Sequence, residues 1–194
     1  PDGCPTDPLD KQAFLRAHAM LNMLNEHGIQ LGRPEIVAVV DTTATDPNTG
    51  EPTIDWGLPV EIPHRVLIDL FNGADVHTVI VRNGVVLHAP GELNLGRTTR
   101  LANRAQRRAL RALYSTCAIP GCAARFDLCK IHHVHWWRHG GRTDLGNLLP
   151  ICVKHHTATH VGGWKLHLGD DRTLTITQPD NATMTTGPPR RHAA

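Results

Sequence analysis

The chain has 194 residues, 40% of them hydrophobic and 20% charged, with 20 Lys+Arg against 18 Asp+Glu and a formal net charge of +2. A packed core is therefore within reach, and a collagen-like fibre or a charged disordered tail is excluded. Length fits one or two domains, and no apolar run approaches the ~18 residues that a membrane span needs.

No charged-then-apolar leader opens the chain, so a cytoplasmic location is expected. Residues 9–27 carry apolar side chains at helical spacing (Phe14, Leu15, Ala19, Leu21, Met23, Leu24) and predict a helix that Gly28 ends. Residues 36–40 are a β-branched run and predict a buried strand. Residues 41–55, rich in Thr, Asp, Pro and Gly, predict a loop, and residues 61–71 a helix closed by Asn72-Gly73. Two β-branched runs, 77–81 and 85–88, flank Asn83-Gly84, the strongest short hairpin signal in the chain. His18, His27, His64, His77 and His88 are isolated in this stretch and are read as ordinary surface or core residues.

Residues 98–114 predict a basic helix capped by Thr98 or Thr99. Leu101, Ala105, Ala109, Leu110 and Leu113 would line its inner face, and Arg100, Arg104, Arg107, Arg108 and Arg111 would point outward. Residues 131–135 and 148–151 read as short strands, joined through Gly140-Gly141 and Thr143-Asp144, with a helix beginning near Cys152. The alternating runs 164–168 and 173–177 around Gly169-Asp170-Asp171 predict a final hairpin, and from Gln178 a disordered tail is expected.

Charge and ligand residues are both unevenly distributed. Residues 1–96 hold 5 Lys+Arg and 13 Asp+Glu, a net of −8, whereas residues 97–138 hold 9 and 1, a net of +8. Such a basic patch on a nearly neutral chain suggests a polyanion partner. Eight of the 14 His lie within 132–167 and four of the five Cys within 117–152. Mixed Cys/His clustering favours metal over a disulfide framework.

Two ligand sets separate within residues 117–160. Cys117-x4-Cys122 and Cys152-x2-His155 have the layout of a closed tetrahedral zinc site, with Cys129 able to replace one of the four. The second set is His132-His133, Asn147 and His156-x3-His160. His156 and His160 share a face if helical, and can hold one ion. His132 and His133, neighbours on a strand, point to opposite faces, so one can bind metal while the other meets a water. Metal-assisted phosphodiester hydrolysis requires that division: a cation to neutralise charge and a base of near-neutral pKa. Trp136-Trp137 is read as packing.

The strings IHHV, GGRTDLGN, LLPICVKHH and TATH, in that order, resemble the HNH endonuclease motif over about residues 115–165. More narrowly, LGRTTRLANRAQRRALRALYSTCAIPGC followed by HHVHWWRHGGRTDLGNLLPICVKHH resembles the actinobacterial DUF222-type HNH proteins, or 13E12 repeat family. The resemblance implies an α+β chain with a ββα-metal (HNH/His-Me finger) module and a structural zinc knuckle. In that reading residues 1–96 are the C-terminal part of a DUF222-like domain, 97–114 a linking helix, 115–168 the nuclease module and 169–194 the hairpin end and tail. It also implies that His133 is the general base, that His132 and His156 hold a catalytic divalent ion (Mg, Mn, Ni or Zn) with His160 as a further ligand, and that Asn147 fixes the hairpin and the base. Many members have Cys-x2-Cys in the second knuckle, where this chain has Cys-x2-His. The activity implied is hydrolysis of DNA by attack of water, leaving 5′-phosphate and 3′-hydroxyl ends. Arg104, Arg107, Arg108, Arg111, Arg125, Lys130 and Arg138 would contact phosphates, which give affinity without sequence information. The alternative is a non-catalytic zinc module that binds nucleic acid or protein; a small-molecule zinc hydrolase lacks a conspicuous acidic base.

Overall fold

A computed structural model describes residues 73–189 continuously and, before them, residues 4–8, 10–12, 14–16, 19, 33, 35–45 and 47–55. Parts of the helix predicted over 9–27 are helical (10–12 and 14–16). Residue 19 is helical too; the other residues of that span and the helix predicted over 61–71 lie outside the described residues, as do His18, His27 and His64.

Four strands, β1 (Glu35–Thr45), β2 (Pro52–Asp55), β3 (Asp75–Arg82) and β4 (Val85–His88), form one sheet in the order β2-β1-β3-β4. β1 and β3 are parallel and the other neighbours antiparallel. Asn83 and Gly84 both take positive φ (48° and 76°), the left-handed pair that closes a two-residue hairpin. The loop predicted over 41–55 is corrected: β1 runs on to Thr45 and pairs with β2, through an irregularity between Asp41 and Thr45. Pairing of backbone groups here overrides a polar sequence with no apolar alternation.

Helix α1 (Arg104–Leu113) starts later than its sequence predicts. Asn103 caps it: its side chain accepts from Gln106 N–H at 2.8 Å, and Gln106 Oε1 accepts from Asn103 N–H at 3.1 Å. Thr98 and Thr99 are not caps. The backbone of 93–96 is taken up instead by the loop at 143–145: Leu95 N–H donates to Thr143 O, Thr143 N–H to Gly96 O, and Leu145 N–H to Leu93 O. The division drawn at residue 96 therefore runs through a hydrogen-bonded strap. α1 is buried on two sides. Ala112 and Leu113 pack on Val39, Val79 and Val81 of the first sheet, and Leu110 on Phe126 and Leu148.

β5 (Cys129–His133) and β6 (Leu148–Cys152) form an antiparallel pair, followed at once by α2 (Val153–His160). The first strand ends two residues earlier than predicted, because Val134 N–H turns to Asn147 O. β6 is buried along its whole length, since its two faces enter different cores: Leu149 and Ile151 join Leu174 and Ile176, while Leu148 meets Leu110. Gly141 lets the connecting loop close on itself; a Cβ there would collide with His135 O.

A third sheet, β7 (Lys165–Leu168), β8 (Leu174–Thr177) and β9 (Thr183–Thr185), covers the module. β9 corrects the disordered tail expected from Gln178. Two of its three residues are threonines, yet it completes the edge of β8, with Ile176 opposite Met184. Among the described residues no helix is long and apolar enough to cross a membrane.

Candidate active site and metal centres

The first ligand set is assembled at one end of the β5–β6 pair. Ligand atoms of Cys117, Cys122, Cys152 and His155 all lie within 4.8 Å of one another. His155 Nδ1 is 3.5 Å from Cys117 Sγ and 3.4 Å from Cys152 Sγ, and the Cys122 and Cys152 sulfurs are 3.9 Å apart. Zinc with thiolates at ~2.3 Å and an imidazole at ~2.05 Å would have tetrahedral edges of about 3.8 Å and 3.5 Å, so the donors already stand at tetrahedral spacing. Cys129, the alternate, is outside the cluster; its thiol donates to Arg125 O at 3.4 Å. Burial pushes the Cys117 thiol up to about 12. Burial also opposes the Cys152 thiolate, but backbone N–H groups of His155 and Lys154 and the neighbouring thiols hold it below the usual thiol range. Cys152 sits at the N-terminus of α2, where N–H groups are unpaired.

α2 spans only eight residues and has no side-chain cap at its start. A helix that short is not stable by itself. Its first turn carries Cys152 and His155, so the four-donor cluster anchors the turn that presents His156 and His160 on the other side.

There the second set converges. Ligand atoms of His132, His156 and His160 lie within 4.8 Å of one another, and ring centroids are 5.3 Å (132–156), 5.2 Å (132–160) and 4.4 Å (156–160) apart. His132 is only 4% exposed, and its Nε2 is buried without a hydrogen-bond partner. A buried, unpaired ring nitrogen facing two other imidazoles fits a metal ligand, because it is costly otherwise. Burial, then His160, His156 and His133, push His132 down to about 3. Burial, then His160 and Lys130, lowers His156, and burial, then Arg138 and Arg100, lowers His160. Neutral imidazole is the form that ligates. His133, one residue on and on the opposite face, is half-buried and lowered by burial, then by Arg100 and Arg97. Its Nε2 is 3.0 Å from Thr143 Oγ1.

Among the described residues the Asn147 side chain makes no hydrogen bond to His133 or to the triad. Its side-chain oxygen accepts from His135 N–H at 2.7 Å, and its amide donates to His135 O and Arg142 O. It pins the end of the hairpin just beyond the two histidines.

A cavity of about 480 Å³ opens over both His132 and His133, walled by Arg100, Arg107 and Arg138. The other sequence-nominated cations are placed elsewhere. Arg108 pairs with Glu35 at 3.1 Å, and Arg111 pairs with Asp127. Arg104 lines a second hollow beside them, Arg125 is 4.0 Å from Asp127, and Lys130 is exposed on β5. Arg97 stacks on Trp137 at 4.0 Å while donating to Trp137 O and Gly141 O; Arg138 lies 4.3 Å over Trp136. The two tryptophans are thus covered by guanidinium groups, and Trp136 also packs on His160, 4.6 Å between centroids.

Sequence reasoning missed Thr143, read as turn material, and Arg172, which is 5% exposed and donates to Leu145 O (3.0 Å) and Leu148 O (2.7 Å). No local pattern marks either; both depend on segments far apart in the chain.

An uncharacterized protein of Mycobacterium bovis and one of Mycobacterium tuberculosis are each 31% identical to this chain over 153 residues, 79% of this chain and 32% of theirs. A second uncharacterized M. tuberculosis protein is 38% identical over 77 residues, 39% of this chain and 14% of its own length. The chain spans about a third of the length of the first of these curated relatives. No solved structure matches it. Residues 116–162, which hold both ligand sets, match the family model of the HNH endonucleases.

Proposed function

We propose that residues 115–168 are a ββα-metal endonuclease that hydrolyses DNA phosphodiester bonds with weak sequence specificity. One observation carries this reading: three neutral imidazoles from a strand and a helix face one point, and a fourth, His133, stands beside them in the same arginine-walled cavity. His132, His156 and His160 would hold a divalent cation. Bound there, the cation supplies charge neutralisation at the scissile phosphate and at the departing oxygen. Three imidazoles and no carboxylate suit zinc or nickel better than magnesium. His133 takes the proton from the attacking water, in keeping with its neutral ring. Arg100, Arg107 and Arg138 bind phosphates flanking the scissile bond. Contacts to phosphate give affinity without sequence information, which is the ground for weak specificity. The four-donor cluster is assigned to structural zinc. Residues 1–96 are proposed as the C-terminal part of a DUF222-type domain.

The test is incubation of supercoiled DNA with the full chain and Mg²⁺, Mn²⁺, Ni²⁺ or Zn²⁺. Metal-dependent nicking, abolished by EDTA and by His133→Ala with zinc content and folding intact, is expected. Unchanged nicking by His133→Ala would remove its role as base. DNA binding without cleavage under every metal would leave the non-catalytic zinc module as the reading.

A further inference from the structure

We infer that Thr143 is a positioning residue that fixes the tautomer of His133, and that the strap 93–106 upstream of the nuclease motif is built into the active site to hold it. This rests on the nuclease reading only for its kinetic consequence; the hydrogen-bond chain itself is a property of the fold.

Thr143 is fully buried. Its hydroxyl lies 2.7 Å from Thr99 O, and a carbonyl oxygen can only accept. The single hydroxyl proton is therefore spent on Thr99. Toward His133 Nε2, 3.0 Å away, the same oxygen can only accept, so Nε2 carries the ring proton. The lone pair of the neutral ring is then on Nδ1, and Nδ1 is the atom that takes the proton from water. The opposite tautomer would set two lone pairs against each other inside a buried site, a loss of the kind that orients a catalytic imidazole through its second nitrogen.

Thr143 itself is clamped from upstream. Its carbonyl accepts from Leu95 N–H at 3.0 Å and from Gln106 Nε2 at 2.8 Å, and its N–H donates to Gly96 O at 2.8 Å. Gln106 is fully buried, and its amide also donates to Leu93 O at 2.9 Å. Each of these partners precedes residue 116, where the match to the nuclease family begins. The strap and the first turn of α1 thus do more than link two units. They fix the oxygen that dictates which nitrogen of the base is free.

The experiment uses the full chain, ¹⁵N-labelled and loaded with diamagnetic Zn²⁺, with His133 identified by the signals missing from His133→Ala. Long-range ¹H–¹⁵N spectra at neutral pH are expected to show a protonated Nε2 and an unprotonated Nδ1. Thr143→Val, which keeps the shape and removes the acceptor, is expected to give a mixture of tautomers. It should also lower kcat on plasmid about 10- to 100-fold with KM unchanged, as loss of an orienting partner does, and Thr143→Ser should restore both readouts. A wild-type His133 protonated at Nδ1 overturns the inference. So does a Thr143→Val chain that keeps the wild-type tautomer, or a Thr143→Ser chain that folds but lacks it. If Thr143→Val does not fold, the wild-type and Thr143→Ser spectra decide the matter. If the wild-type chain does not cleave DNA, the nuclease reading fails while the tautomer measurement still stands or falls separately.

Discussion

Removing one donor from the four-residue cluster should weaken the whole module, and the size of the effect follows from chain connectivity. Cys117 and Cys152 both face the same point, so an ion between them closes a loop of about 36 residues; by chain entropy that constraint is worth roughly 4 kcal/mol. Cys117→Ser removes one of the four donors, and release of the ion from the remaining three opens the loop. For a chain of this length each kcal/mol moves Tm by about 2–4 °C, so the variant should melt about 8–16 °C lower. The loss extends beyond this figure, since α2 has no cap to hold it and structural zinc binding is folding free energy. The assay is calorimetric melting with metal content measured after dialysis. Wild type should hold one tightly bound zinc more per chain than Cys117→Ser, and EDTA should lower the melting of wild type more than that of the variant. Cys129→Ser, whose thiol bonds to Arg125 O, should keep its zinc. A Cys117→Ser chain that melts within about 2 °C of wild type, or a wild type that carries no zinc, refutes the reasoning.

Three further outcomes are expected. Arg172→Met should destabilise the fold by about 2–5 kcal/mol in urea titration, because the carbonyls of Leu145 and Leu148 lose a charged donor in a buried setting; a midpoint equal to wild type counts against this. The metal-free chain should lose stability in acid. His132 sits near 3 in the fold against about 6.5 in an unfolded chain, so the folded state binds fewer protons below about 6.5. The stabilisation is complete above that pH and is lost as pH falls toward about 3, with His156, His160 and His133 shifted in the same direction; unfolding midpoints that stay flat from pH 7 to about 4 would contradict it. Gly141→Ala should distort the loop that ends β5, since the new methyl meets His135 O; unaltered thermal stability and backbone amide shifts around residues 133–147 would show that the loop relaxes freely.

The two ligand sets were legible in the sequence because metal chemistry limits both residue type and spacing. Cys-x4-Cys with Cys-x2-His, and His-x3-His after a strand, leave few other geometries. The division of His132 from His133 followed from strand alternation: His132, 4% exposed, is grouped with His156 and His160, and His133 is half-buried against Thr143, while both border the same cavity. The basic helix was legible as charge but not as geometry. Arg108 and Arg111 are taken by Glu35 and Asp127, while Arg100 reaches the cavity; nothing local to the helix distinguishes them. The start of α1 and strand β9 were missed for a related reason. Residues 93–100 and 183–185 owe their conformation to partners at 143–145 and 174–177, and propensity within a short window does not register partners at that distance.

By itself the sequence determined which chemistry the chain is equipped for: thiolates and imidazoles at ligand spacing, a stretch of eight histidines, and a concentration of arginine just before them. Only the tertiary structure decided how those groups share the work. It chose the four donors of one cluster and excluded Cys129, turned Thr143 from a turn residue into the partner of His133, and selected the arginines that wall the cavity. The physical reason is that ligand identity is a property of side chains, which the sequence states directly, whereas protonation sites and ion pairing depend on which atoms meet across segments brought together only by folding.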